Sequence, residues 1–318
     1  MELAEIFYVL IWENHLFQAS FLQSEYGKNE LIRTKSVQGQ PHLTLDKVAK
    51  LIVPIYDQDF KDEIARCWEL FFEQIDSSNM HLENARSIFD EAMQRKIENK
   101  KSIISFAEVM KSSDFAIRFD VDYYERKWSN LVEELKVNGI KFKPIKYVKQ
   151  NFEAENPREL FYYITLSDID DKSGIVKRLK QMEAHELPDR AKRMTQKGDV
   201  LVSSLKGSKE KIAIMNSELN NVVASTGFYV VRDSEYLPEV LYLIFRSKYY
   251  DMFIEQMSSG AIMSSLTDKY FKQFVVPELS SEIQGEIAEE VQMYMNDRQS
   301  AFENLNRAIS MFDIKKNG

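Results

Sequence analysis

The 318 residues are 44% hydrophobic, with only 10 Gly and 7 Pro, which excludes a disordered chain and suffices for one large or two medium cores. A single cysteine, Cys67, excludes an internal disulfide, and the most apolar run, residues 7–12, is far shorter than the roughly 18 residues a membrane helix needs. A net charge of −8 would disfavour a polyanionic partner if evenly spread, but residues 172–211 hold eleven Lys or Arg against five Asp or Glu.

In chain order, the opening Met1-Glu-Leu-Ala-Glu5 is acidic where a secretory signal is basic, so a reducing cytoplasm is the expected compartment. Residues 1–56 form a first short segment. Over 57–105 a long helix is expected: Ile64, Trp68, Phe71, Ile75, Leu82, Ala85, Phe89 and Ala92 recur at steps of four and three, with Ser78 at the missing seam position. Without Pro or Gly over 57–101, this predicts a rod on the order of 65 Å. Residues 106–279 read as a mixed α and β domain. Residues 128–137 suit an amphipathic helix with Trp128, Leu131 and Leu135 on one face, and β-type runs fall at 161–166, 200–203, 212–215 and 227–231. Residues 280–318 form a second long helix with a seam of Ile283, Ile287, Val291, Tyr294, Phe302, Leu305, Ile309 and Phe312. The two helices are expected to pair antiparallel, with Phe71, Ile75, Phe89, Leu305 and Phe312 packed between them, giving an α+β fold overall.

The flanks repeat internally at an offset of about 223 residues. Asp46, Lys47 and Lys50 answer Asp268, Lys269 and Lys272. Val53-Pro54 answers Val276-Pro277, Glu63-Ile64-Ala65 answers Glu286-Ile287-Ala288, and Ser87-Ile88-Phe89-Asp90 answers Ser310-Met311-Phe312-Asp313. Residues 5–10 match 239–244 at an offset of 234. Residues 113–236 occur once, so the first copy begins in its middle.

Four segments carry a family likeness: Tyr163-Ile-Thr-Leu-Ser-Asp-Ile-Asp-Asp171, Lys197-Gly-Asp-Val-Leu-Val-Ser-Ser204, Val223-Ala-Ser-Thr-Gly-Phe-Tyr-Val230, and Leu266-Thr-Asp-Lys-Tyr-Phe-Lys-Gln-Phe-Val-Val-Pro277. Together they resemble the specificity subunit of type I restriction-modification enzymes, over about 157–290. The resemblance implies two long antiparallel helices used as a spacer between target-recognition domains, each reading half of a split site in double-stranded DNA. Catalysis then belongs to partner DNA methyltransferase subunits and, indirectly, a restriction subunit, so this chain would be no enzyme and need no cofactor. On this view residues 1–56 are the C-terminal remnant of a first recognition domain and 106–279 a complete one. A homodimer would restore two complete domains. The family's Pro-Pro-Leu and Glu-Gln pattern is present only as Pro277-Glu-Leu-Ser-Ser-Glu-Ile-Gln284.

The candidate DNA contacts follow from residue chemistry within this frame. Ser203, Ser204, Lys206, Ser208, Lys209 and Lys211 lie around one polar turn suited to phosphate, though a solvated hairpin reads the same way. Arg190, Lys192, Arg193 and Lys197 form a second basic cluster, equally readable as an exposed charged helix, and Lys172 opens the basic stretch. Ser225, Thr226 and Ser259 are placed for base edges by resemblance, although such hydroxyls often satisfy only local backbone. Gly207-Ser208-Lys209 lacks the glycine spacing of a nucleotide loop, and His15, His42, His81 and His185 are scattered, so no metal is expected. A nuclease built on Asp120 or Asp122 with Glu134 and Lys136 is the enzymatic rival; a helix over 128–137 would make the last two diverge. A protein-binding adaptor without DNA specificity is the other alternative.

Overall fold

The computed structural model describes residues 15–34, 48, 50–94, 121–216, 219–258 and 265–314. The chain divides into two compact units, one of Met1–Met80 with Asn296–Gly318 and one of His81–Met295. This division falls within the two long helices rather than at their ends. Each unit takes a stretch of both helices into its own core.

In the first unit, helices α1 (His15–Gln23) and α2 (Glu25–Thr34) meet at Ser24. Its hydroxyl donates to the Phe21 carbonyl at 2.6 Å and accepts from the Gly27 amide at 3.1 Å, ending one helix and capping the next. Gly27 has no alternative, because a Cβ there would lie 2.0 Å from the Phe21 oxygen. Helix α3 (Gln58–Ala92) starts where Asp57 accepts from the Phe60 amide at 2.8 Å. Phe17, Phe21, Tyr56 and Phe60 surround Phe312 of the closing helix, with ring centroids 5.1–5.7 Å away.

After its share of α3 the second unit continues with α4 (Val121–Glu125) and α5 (Lys127–Val137), the latter burying Trp128, Leu131, Val132 and Leu135 as the period predicts. The strands that follow are β1 (Phe142–Pro144), β2 (Leu160–Ile164), β3 (Lys180–Glu183), β4 (Ala191–Thr195), β5 (Val200–Ser203), β6 (Ile212–Ile214), β7 (Val222–Ser225) and β8 (Phe228–Val231). Helices α6 (Pro238–Phe245), α7 (Lys248–Met257) and α8 (Asp268–Phe271), strand β9 (Val275–Pro277) and helix α9 (Ser281–Ile314) complete it.

Strand order is β3-β2-β7-β4 in one sheet, with only β2 and β7 parallel, and β6-β5-β8 in another; β1 pairs antiparallel with β9. Period-2 alternation sorts the side chains. Leu201, Ala213, Phe228 and Val230 face Ile164, Val222 and Ala224 of the larger sheet. Val200, Val202, Ile212, Ile214 and Val231 turn instead into the main core, beneath α6 and α7 and with Phe89, Ile287, Val291 and Tyr294 of the long helices. Burying each such side chain stabilises the fold by about 1.5–3 kcal/mol. The α+β fold class expected from the pattern is the one observed.

The long helices run antiparallel. In the first unit Glu63 binds Arg307, Gln74 binds Asn304 and Asn79 binds Arg298, so numbers rise on one helix as they fall on the other. In the second unit His81 and Asn84 both reach Glu290. The seam on α9 differs from the sequence reading by one residue. Ala301 and Ala308 are buried, whereas Phe302 and Ile309 are half-buried flanks. The steps 294, 298, 301, 305, 308, 312 hold the heptad, and small side chains at the seam let the backbones approach.

The repeat is structural. Helices α1, α2 and α3 begin 223 residues before α6, α7 and α9, and Ser247 donates to Ile244 at 2.6 Å as Ser24 does to Phe21. The counterparts of 239–244 are therefore 16–21, not 5–10, because the offset stays constant through the helices.

Candidate nucleic-acid interface

Three of the four motif segments meet at one end of the paired sheets, through a tight turn. Thr226 and Gly227 connect β7 to β8; the Thr226 amide donates to the Arg190 carbonyl at 2.8 Å, and the Arg190 Nε reaches the Thr226 hydroxyl at 3.4 Å. The Gly227 carbonyl accepts from the Ser204 amide at 2.8 Å and from its hydroxyl at 3.0 Å. The Ser204 carbonyl accepts in turn from the Leu266 amide at 2.8 Å. Arg190, Thr226, Gly227, Ser204 and Leu266 thus form one hydrogen-bonded strip, with Lys206 two residues beyond Ser204. Arg190 and Thr226 are exposed on it, and Ser204 and Lys206 half-buried. Ser203 and Ser225 are buried, and their hydroxyls accept from the amides two residues on, Leu205 at 3.1 Å and Gly227 at 3.3 Å.

A second element is the loop at 168–178, the continuation of the remaining motif. Asp170 accepts from the Ser173 amide at 2.8 Å, the Ser173 hydroxyl at 2.9 Å, the Lys172 amide at 3.1 Å and Lys177 Nζ at 2.8 Å. Burial alone would raise its pKa, but Lys177 and the Ser173 donors outweigh it and hold the carboxyl down at about 2. The loop's carbonyls are clamped from outside. Tyr242 donates to Ser173 at 2.7 Å, Tyr294 to Lys172 at 2.8 Å, and Arg246 to Asp171 at 3.0 Å. Lys211 donates to the Ile169 carbonyl at 2.7 Å. Gly174, at φ +71°, would place a Cβ 2.4 Å from the Ile212 oxygen, so only glycine closes this loop. The side chain of Lys172 stands exposed on a fixed backbone.

The remaining expected residues are distributed differently. The basic cluster at 190–197 is not a helix: Lys192 and Arg193 lie on β4, which pairs with β7, with a register shift between Ala191 and Arg193. Arg190 and Lys197 consequently sit at opposite ends of that strand. The β-branched Val222 and Val223 across the ladder select strand geometry that local charge could not reveal. Arg193 bonds Asn151. Lys209 is paired with Asp251 at 2.9 Å and Glu255 at 3.9 Å, while Ser208 is half-buried in a short 3-10 turn that also holds Lys206. Ser259 lies outside the described residues. Of the seam residues, Phe89 and Phe312 are buried in separate cores, and Phe71, Ile75 and Leu305 are half-buried.

Sequence reasoning passed over Lys177 and Arg178, exposed bases on the same loop that pair with Asp170 at 2.8 Å and Asp168 at 3.5 Å. Both were counted in the basic stretch, and nothing local singled them out. Among the described residues no group of three or more His, Cys, Asp or Glu could hold a metal, and no helix is long and apolar enough to cross a membrane. Glu134 and Lys136 are both exposed on α5, two positions apart and so diverging, while Asp120 lies outside the described residues.

No family model matches the chain, and no curated protein matches it. Solved structures do. The chain is similar to the HsdS subunit from Thermoanaerobacter tengcongensis, with 23% identity and a TM-score of 0.43 over 56% of this chain and 46% of that one. A structure described as the basis of complex assembly and conformational transition of the type I R-M system matches at 21% identity and 0.41, over 56% and 45%. The type I restriction-modification S subunit from M. genitalium matches at 15% identity and 0.39, over 95% and 71%. The chain therefore spans under half the length of the first two.

Proposed function

We propose that this chain reads DNA sequence as the non-catalytic specificity subunit of a type I restriction-modification complex in the cytoplasm, directing DNA methyltransferase subunits and, through them, the restriction subunit. The observation that carries this reading is the strip joining Arg190, Thr226, Ser204 and Leu266, with Lys206 beside it, because it gathers three motif segments, far apart in sequence, at one solvent-facing end of two sheets. Such an arrangement suits a duplex. Exposed Arg and Lys contact phosphate and fix register, while a hydroxyl such as that of Thr226 is of the kind that reads a base edge. Lys172 adds a second basic contact on a loop whose backbone is already ordered, so little entropy is lost on binding, while Lys177 and Arg178 beside it are paired with Asp170 and Asp168. Lys209 and Lys211, engaged with acids and a carbonyl, serve the fold more than the ligand. Two chains pairing into a homodimer would present two such strips for a symmetric split site.

The test is selection from a randomised duplex pool by the chain mixed with its methyltransferase subunits, at two salt concentrations. An enriched motif is expected, and Thr226→Ala should relax one position by about 1–3 kcal/mol, whereas Lys172→Ala should weaken all sequences alike and lower the salt slope by about 1. Retention without a motif, lost at high salt, would refute sequence reading. An inverted repeat of the motif at fixed spacing is the result expected of a homodimer, and light scattering that finds only monomer with the methyltransferase bound would remove the pairing.

A further inference from the structure

The two copies of the repeat differ in one surface. In the second unit, β9 is covered by β1, in register Phe142↔Pro277, Lys143↔Val276 and Pro144↔Val275, and the Glu278 amide donates to Lys141 at 2.8 Å. Phe142 also stacks on Tyr249, whose hydroxyl donates to Val275 at 2.8 Å. Tyr249 and Val276 are both 0% exposed as a result. Their counterparts in the first unit, 223 residues earlier, are Tyr26 and Val53, 37% and 38% exposed, and Ile52 beside them is 57% exposed. Among the described residues no strand pairs with 51–55, and the Ile52 amide has only the Glu30 carboxylate at 3.4 Å. Where the second copy carries the charged Glu278, the first carries Ile55, 96% exposed. An apolar side chain at a position that solvent would favour as charged marks a covered site rather than a free surface.

We propose that residues 51–55, with Tyr26, form a docking edge for an extended segment of another polypeptide having the chemistry of β1: apolar and lysine side chains in alternation, with an aromatic ring to cover Tyr26. The intact copy supplies the template. Strand addition satisfies backbone that no described strand pairs, and the alternating side chains confer specificity. The helix that precedes β1 is not part of the proposal. In the second unit Gln256 accepts from the Trp128 and Ser129 amides at the start of α5. Its counterpart is Arg33, which has no acceptor to offer and is paired with Glu30 at 2.7 Å. The inference rests on the repeat and not on DNA reading.

The experiment titrates the full chain with a labelled peptide of residues 139–147, Gly-Ile-Lys-Phe-Lys-Pro-Ile-Lys-Tyr, reading anisotropy and amide hydrogen exchange. Saturable binding is expected, with exchange slowed over 51–56 and unchanged over 275–278. Val53→Asp, an exposed change whose fold is checked by circular dichroism, should weaken binding roughly tenfold or more, as should an aspartate in place of the peptide's phenylalanine. Absence of saturable binding overturns the proposal, as does protection at 275–278. If 51–56 become protected in the chain alone as concentration rises, a second copy is the occupant and the proposal likewise falls.

Discussion

Residues 15–92 and 238–314 are two copies of one plan, and they agree along the seam of the two long helices. Ser78 and Ala301, Ala85 and Ala308, and Phe89 and Phe312 occupy matched seam positions, and all six are buried. They part away from that seam. Val276 is sealed beneath β1, and Val53 is not. Gly27 stands where the other copy buries Tyr250, because α1 and α2 approach until no side chain fits. A helix satisfies its own backbone and needs only a stripe from its neighbour, so the stripe recurs faithfully. A strand borrows half its hydrogen bonds from another segment, so an identical sequence signal has different outcomes.

The largest expected effect tests whether the matched seam positions are energetically matched. Phe89→Ala and Phe312→Ala should each cost about 3–5 kcal/mol, from lost transfer energy and the cavity left behind. Hydrogen exchange should then report loosening in different places: the second unit's core for Phe89, and the Phe17, Phe60 and Ile64 cluster for Phe312. Loosening of the same amides by both variants would mean that the two cores are not separate. A smaller loss, about 1–3 kcal/mol by urea unfolding, is expected of Gly27→Ala, since a Cβ would force the Phe21 carbonyl aside. Smallest is the serine comparison. Ser24→Ala should cost about 1 kcal/mol, because its hydroxyl also caps α2 through Gly27, and Ser247→Ala about half that, with no such cap. Equal costs would place the effect in the bond both serines make to the preceding carbonyl.

Much of this architecture was legible in the chain. The heptad steps revealed both long helices, and the β-type run at 200–203 is β5 to the residue. Reading by size misled at Phe302 and Ile309, where the seam passes through the smaller Ala301 and Ala308. At the candidate interface the residue types were visible and their company was not. Lys209 and Lys211 look alike in sequence to Lys206, yet one answers Asp251 and Glu255 and the other a backbone carbonyl.

What the sequence determined by itself was whatever repeats within a few residues: helix faces, strand alternation, the internal duplication and the place where basic charge concentrates. Only the tertiary structure decided which strands pair, since β2 meets β7 in parallel across some sixty intervening residues. It alone decided that Arg246, Tyr242 and Tyr294 would hold the loop around Lys172. Every residue offers a backbone carbonyl, so the acceptors these side chains chose leave no mark in the sequence, and long-range pairing is settled by the packing of the whole.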